Sequence, residues 1–388
     1  MDKIRIGIIG YGNMGSGHAG NIREGKCPEL VLTAVADILP VRRAAAEQDN
    51  AGVHTFDDAI TMLDSGEIDA CIISVPHYDH PRYAIACMER GIHVMVEKPA
   101  GVYTKQVREM NEVAAKHPEV KFGMMFNQRT NCIYRKMREL VQSGKYGQLR
   151  RSVWIITNWY RPQAYYDSGN WRATWSGEGG GVLLNQCPHQ LDMWQWICGM
   201  PVKIDAHLQF GKWHDIEVED DVTAYAEYEN GATGVFITTT GDAYGTNRFE
   251  VQMDRAKLVA DETGLHVWEF EMSEPEFSRT NTVPFGAPKV TELNVELDGE
   301  NPQHVGVLNA WAGAILRGTP LVADGSEGIK GVTISNAMHL SAFLGKPVTL
   351  PVDEDLYYEE LQKRVATSHA KTGEQVFSDT SNTYGGMK

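Results

Sequence analysis

At 388 residues the chain exceeds what one hydrophobic core ordinarily organises, so two domains are expected. With 42% hydrophobic and 22% charged residues the composition is that of a globular protein, and no apolar run approaches the length of a bilayer span. A formal net charge of -15 argues against general affinity for nucleic acid or for an anionic membrane, since both favour a basic patch.

Residues 3–9 read as a short buried strand, and Gly10, Gly12 and Gly15 follow it at the G-x-G-x-x-G spacing. Gly10 permits the tight turn, Gly12 lets backbone approach a pyrophosphate, and Gly15 lets the next helix pack on the sheet. The pyrophosphate then rests on free N–H groups at that helix's start, around Asn13 and Met14. A second apolar run, 30–36, ends in Asp37, 22 residues beyond Gly15, where an acidic residue takes the adenosine ribose hydroxyls. This favours NAD over NADP, although Arg42 and Arg43 follow closely and a phosphate could meet them. The start runs straight into a strand with no apolar export segment, so a cytoplasmic location is expected.

The alternation of short strands and helices continues: a strand at 54–56, a helix over 57–63, and a strand over 69–75 that carries Ser74 and stops at Pro76. A helix over 81–90 ends at Gly91, and a strand at 93–96 delivers Glu97, Lys98 and Pro99. Another helix over 104–116 leads to a last apolar stretch at 121–126. Ligands of such parallel sheets bind beyond the carboxyl ends of the strands, which is where Gly10, Asp37, Pro76 and Lys98 fall.

Beyond Asn127 the pattern changes. A helix over 133–143 precedes alternating segments at 149–159, 203–210, 222–228, 233–240, 249–253 and 257–260, read as an antiparallel sheet with one covered face. Two late helices, 305–316 and 325–344, and a segment at 351–363 are expected to pack against the domain junction. A Ser-, Thr- and Gly-rich tail from Thr372 reads as mobile or as reaching a neighbouring subunit. Six cysteines (Cys27, Cys71, Cys87, Cys132, Cys187 and Cys198) show no C-x-x-C spacing and read as reduced and mostly buried.

Three features together resemble the family of glucose-fructose oxidoreductase, inositol dehydrogenase and the rhizopine catabolism protein, known as Gfo/Idh/MocA. They are the amino-terminal glycine triplet, the Glu97-Lys98-Pro99 strand end, and Gly179-Gly180-Gly181 ahead of a helix carrying His189 and Asp192. The resemblance implies an α/β Rossmann domain with a doubly wound parallel sheet over 1–123. An α+β substrate-binding domain with a large open, mostly antiparallel sheet would follow over 124–371, with a tail over 372–388. It also implies a homodimer or homotetramer formed through that sheet.

In family members the lysine of the Glu-Lys-Pro motif acts with an Asp and a His on a sugar or cyclitol hydroxyl beside the nicotinamide. By position these are Lys98, Asn185 and His189, with Asn185 standing where the usual motif has Asp. Pro76-His77-Tyr78-Asp79-His80 resembles a family segment beside the nicotinamide ribose, in which His80 matches and His77 replaces an Asn. Cofactor contact is therefore expected for Ser74, Pro76, His77, His80, Glu97, Lys98 and Asn127, and no metal site is expected because His77, Asp79 and His80 lack further ligands.

Hydride transfer from an alcohol carbon requires the hydroxyl proton to leave at nearly the same moment, and histidine titrates in the right range. A helix over Asn185, His189 and Asp192 would bring amide, imidazole and carboxylate to one face. Asn185 positions a hydroxyl but takes no proton. His189 is the favoured base, with Lys98 stabilising the alkoxide, and a desolvated Lys98 is the alternative base.

The stretch 154–175 is rich in Trp and Tyr, and Tyr160, Trp171 and Arg172 read as a carbohydrate wall; junction packing or a subunit contact is the alternative. The expectation is an NAD-dependent dehydrogenase of a secondary hydroxyl of a sugar, glycoside or cyclitol, with C3 of a glucoside as the specific guess. The rivals are a redox-assisted glycoside-cleaving enzyme of the same fold and a non-catalytic nucleotide sensor.

Overall fold

The computed structural model describes residues 3–369 and 371. The tail expected over 372–388 lies outside the described residues.

The first half alternates strand and helix: β1 (Ile4–Ile9), α1 (Asn13–Arg23), β2 (Leu30–Ala36), α2 (Pro40–Asp49), β3 (His54–Phe56) and α3 (Ala59–Asp64). It continues with β4 (Ala70–Ile73), α4 (His80–Met88), β5 (His93–Val96), α5 (Thr104–Ala114) and β6 (Phe122–Met124). The six strands form one sheet in the order β3-β2-β1-β4-β5-β6. Every pairing in it is parallel. Ile4, Ile6 and Ile8 pack to one side of β1 and Ile9 to the other, so the strands carry continuous apolar runs because both faces are covered. The helix expected from 57 starts two residues later, since Asp58 is its cap and accepts from Thr61 N at 2.8 Å.

The second half opens with α6 (Cys132–Gln142), β7 (Leu149–Ile156), the short α7 (Gln163–Asp167) and α8 (Pro188–Cys198). Then follow β8 (Lys203–Phe210), β9 (Glu219–Glu227), β10 (Thr233–Thr239), β11 (Asn247–Met253), β12 (Ala256–Asp261), β13 (Gly264–Phe270), α9 (Glu274–Thr280) and β14 (Val290–Leu293). The chain closes with α10 (Gln303–Arg317), α11 (Gly328–Leu344), β15 (Val348–Thr349) and α12 (Glu354–Val365). Nine strands make the second sheet, ordered β14-β13-β12-β11-β7-β10-β9-β8-β15, antiparallel except where β10 runs parallel to β7.

One face of this sheet carries the core. Trp154 stacks on Phe249 at 4.2 Å between ring centroids, and Trp194 of α8 lies over Phe236 at 5.4 Å. The two indole N–H groups are satisfied by Asn247 Oδ1 at 3.0 Å and Ser152 Oγ at 2.9 Å, so these tryptophans are buried without an orphaned donor.

The late helices return to the first sheet. Val307, Leu308, Trp311 and Ala312 of α10 share a core with β1, and Trp311 Nε1 donates to Lys121 O at 3.0 Å. Met124 N donates to Ala323 O at 3.2 Å, which ties the end of β6 to the turn before α11. This return brings the 179–189 segment over the carboxyl ends of β4 and β5.

Candidate active site

The first crevice is shaped by glycines. A Cβ on Gly15 would sit 1.9 Å from Gly10 O, so only glycine lets α1 pack against the turn leaving β1. A Cβ on Gly12 would meet nothing within 4 Å, and α1 starts there with no side-chain cap, which leaves room for a phosphate at the start of the helix. Asn13 and Met14, in the first turn of α1, are half-buried.

Asp37 follows β2 with Oδ2 accepting from Tyr11 N at 2.8 Å and Oδ1 from Leu39 N at 2.9 Å, which fixes its carboxylate against the glycine turn, between Gly10 and Gly12. Arg43 spends Nη1 on the Asp37 carbonyl at 2.8 Å, and Arg42 is buried. At the end of β4 the Ser74 hydroxyl is buried with no partner, and so is Asn127 Oδ1 beyond β6. A phosphate cradle, a fixed carboxylate and orphaned polar atoms at strand ends fit a dinucleotide.

The second half of the site comes from the turn before α8. Gly181 is needed there because a Cβ would lie 2.0 Å from Glu219 O, and the Glu219 carboxylate takes the N–H groups of Gly181 and Leu183 at 2.9 and 3.0 Å. This turn lays Asn185 against β5, where Lys98 Nζ donates to Asn185 O at 3.0 Å. Burial pushes the Lys98 ammonium below its ordinary range, opposed by the charges of Glu97 and Glu178. His189 is 6% exposed and its Nδ1 has no partner. Burial first, and then the Lys98 charge, hold its imidazole well below its ordinary pKa and therefore neutral at pH 7.

Glu97 is buried behind Lys98, with Oε1 2.7 Å from His18 Nε2 of α1 and Oε2 accepting from Lys98 N at 3.2 Å. Burial alone would raise its carboxyl; the His18 hydrogen bond and charge outweigh that and hold it at about 2. Lys98, His189, Glu97 and His77 thus share one electrostatic neighbourhood at the seam of the two sheets.

Other expected residues stand elsewhere. Asn185 precedes α8 instead of lying on it, because Pro188 starts that helix, so its approach to Lys98 comes from the turn and not from a shared helix face. Asp192 is turned away from both: it is 0% exposed and paired with Arg129 Nη2 at 2.7 Å and Nε at 2.8 Å, with Glu327 on the same guanidinium. That corrects the expectation that its carboxylate would join the Asn185 and His189 face. His80 is similarly enclosed, with Nδ1 2.6 Å from Pro99 O and Nε2 2.8 Å from Val75 O, so it braces the strand ends and leaves no ring nitrogen for a ligand.

His77 Nδ1 reaches Glu178 O at 3.2 Å, and its ring lies 5.9 Å from that of Trp171. The aromatic stretch divides: Trp154, Trp159, Tyr166 and Trp175 are core, Trp171 and Arg172 are half-buried, and Tyr160 is 45% exposed.

Sequence reasoning missed three members. Glu178 is buried beside Asn185, accepting from its Nδ2. Tyr165 accepts from Arg172 Nη1 at 2.9 Å and donates to Asn185 Oδ1 at 3.4 Å. His304 lies with its ring 5.6 Å from that of His18, and burial pulls its pKa down to about 4. Glu178 abuts the glycine run, the one signal that pointed to it. No helix among the described residues is long and apolar enough to cross a membrane.

A parallel six-stranded sheet with this crevice, joined to an open sheet whose turn supplies a lysine's partner, defines an NAD-binding oxidoreductase. The chain belongs to the Gfo/Idh/MocA family: residues 4–124 match its oxidoreductase domain with an NAD-binding Rossmann fold, and 134–259 match a GFO/IDH/MocA C-terminal domain.

It is 26% identical over 199 residues to the rhizopine catabolism protein MocA of Rhizobium meliloti, a match spanning 51% of this chain and 58% of that protein. It is 25% identical over 365 residues to D-glucoside 3-dehydrogenase of Escherichia coli, spanning 89% of this chain and 97% of that enzyme. Among solved structures it is similar to the WlbA dehydrogenase of Chromobacterium violaceum in complex with NADH and UDP-GlcNAcA. That likeness has a TM-score of 0.78 and 26% identity, covering 91% of this chain and 97% of the other.

Proposed function

We propose that the protein is an NAD(H)-dependent oxidoreductase that moves a hydride between nicotinamide and a secondary hydroxyl of a sugar, glycoside or cyclitol, with C3 of a glucoside as the favoured position. The observation that carries this reading is the meeting of Lys98, from the end of a dinucleotide-domain strand, with the Asn185 backbone at 3.0 Å and with the electrostatically coupled His189. Gly10, Gly12, Gly15 and Asp37 would hold the dinucleotide, and bound nicotinamide would supply the two-electron acceptor.

The chain's own residues manage the proton. A neutral, buried imidazole at His189 is in the form that accepts the hydroxyl proton. Lys98 Nζ, held by the Asn185 carbonyl, presents positive charge to the oxygen as it becomes alkoxide, and burial strengthens that interaction. Trp171 and Arg172, half-buried beside His77, offer a flat apolar wall and donors of the kind a sugar ring needs. The similarity to a D-glucoside 3-dehydrogenase over 89% of the chain supports C3 of a glucoside.

The test is to incubate the purified protein with NAD+ and a panel of sugars, glycosides and cyclitols, following nicotinamide reduction and identifying the product. Net NADH with a ketosugar supports the proposal. Aglycone released without net NADH would replace it with oxidation, elimination and re-reduction at the same site.

A further inference from the structure

Glu178 is a buried carboxylate of the site that the proton handling above leaves unused. It is 2% exposed, yet both its oxygens are engaged: Oε1 accepts from Asn185 Nδ2 and Oε2 accepts from Ala173 N at 2.6 Å. Ala173 delivers that N–H from φ 54, a left-handed conformation costly for a residue with a Cβ. Thr174 O then accepts from Glu178 N at 2.9 Å, so the 171–178 turn is wound around this one side chain. A strained turn that encloses a carboxylate and aims it at the Asn185 amide is more than packing requires.

The amide it holds is also fixed at its other end. Tyr165 OH donates to Asn185 Oδ1, while Arg172 Nη1 and Gln186 Nε2 donate to that hydroxyl at 2.9 and 3.2 Å. Burial raises the Glu178 carboxyl, opposed by the Arg172 charge and by the bonds from Ala173 N and Asn185 Nδ2; in its ionised form it can only accept, and so sets which end of the amide is Nδ2.

We propose that Glu178 is a positioning residue for the reaction: its carboxylate, acting through the Asn185 amide, supplies the negative charge and the orientation that an aspartate at 185 supplies alone in the usual family motif. The inference rests on the dehydrogenase reading for its kinetic consequences only. The charged and titratable groups that face Lys98 are Glu97, Glu178, Arg172 and Arg161, with the imidazoles of His77, His189 and His304 around it. Glu97 first and Glu178 second oppose burial and the two arginines, so Glu178 is the second of two carboxylates that keep the buried ammonium protonated.

Glu178→Gln keeps the size and removes the charge. We expect Lys98 to lose its proton about one pH unit lower, read by trace acetylation of the full-length protein against pH with mass-spectrometric counting of the Lys98 peptide. We also expect kcat to fall by about tenfold or more, with the pH limb that follows Lys98 moving the same way and the affinity for NADH unchanged. Combining Glu178→Gln with Asn185→Asp moves the carboxylate forward by one hydrogen bond, and should return the Lys98 titration to that of the parent and recover most of the turnover.

Identical Lys98 titration in the parent and Glu178→Gln would overturn the proposal, as would a double variant no better than the single one. Should the single variant fold poorly, the double variant carries the test, and a lowered Lys98 titration there refutes it. The labelling needs no substrate, so failure to oxidise any sugar would count against the dehydrogenase reading and leave this one to be decided separately.

Discussion

Gly12 and Gly15 look alike in the motif but differ in what surrounds them, and this separates binding from folding. Gly15→Ala puts a methyl 1.9 Å from Gly10 O, a backbone atom that cannot swing aside. Overpacking of this kind costs about 1–3 kcal/mol, a fall of roughly 2–4 °C in Tm for each kcal/mol in a domain of moderate size. Gly12→Ala meets no protein atom within 4 Å, so without nucleotide its Tm should equal that of the parent.

Its methyl instead enters the space assigned to the pyrophosphate. A tenfold loss of affinity corresponds to about 1.4 kcal/mol. At NADH one hundred times the parent Kd, the parent gains about 2.7 kcal/mol of stability, and a variant bound tenfold more weakly gains about 1.4 kcal/mol. Thermal melts with and without NADH, together with a fluorescence titration, read both effects. A Gly12→Ala protein that melts early without nucleotide, or that binds NADH as the parent does, would refute the assignment of that space.

Three further outcomes are expected. His189→Asn should lower turnover by about a hundredfold or more, with NADH affinity retained in the titration; unchanged turnover would move the base role to Lys98. Arg129→Ala leaves the Asp192 carboxylate buried without its cation, at a cost of about 3–5 kcal/mol, which urea melts would register without any requirement for substrate.

Stability should also fall on acidification. His77, His80, His189 and His304 have folded pKa values pulled below their ordinary one by burial, so the unfolded chain binds more protons below about pH 6.5. The loss begins there, continues for His304 to about 4, and is joined below about pH 4.3 by Glu97, whose folded value is about 2. Urea melts at pH 8, 6 and 5 would check this, and a flat profile would contradict it.

The nucleotide end of the site was legible because its signals are local: strand, glycine spacing and the acid after the second strand all lie within 37 residues. Lys98 was legible for the same reason, as a charged residue at the end of an apolar strand. The 179–192 segment was read only in part. Pro188, a first-turn residue by preference, marked the true helix start and separates Asn185 from it.

Asp192 could not be placed from sequence because its partner Arg129 lies 63 residues away. Glu178 was hidden for a related reason, since its burial depends on the left-handed Ala173 and on β9 behind the glycine run. In the second sheet β13 and β14 went unread: β13 carries a weak apolar alternation, and β14 is an exposed edge strand with little side-chain burial to pattern it.

The most direct test of the central claim follows the hydrogen itself. A glucoside carrying deuterium at C3, incubated with NAD+ and the protein, should yield NADH with one deuterium at nicotinamide C4 and an equivalent of 3-keto product, and Lys98→Met should yield neither. NADH formed without deuterium from every sugar labelled at a secondary carbon, or full deuterium transfer by Lys98→Met, would contradict the account.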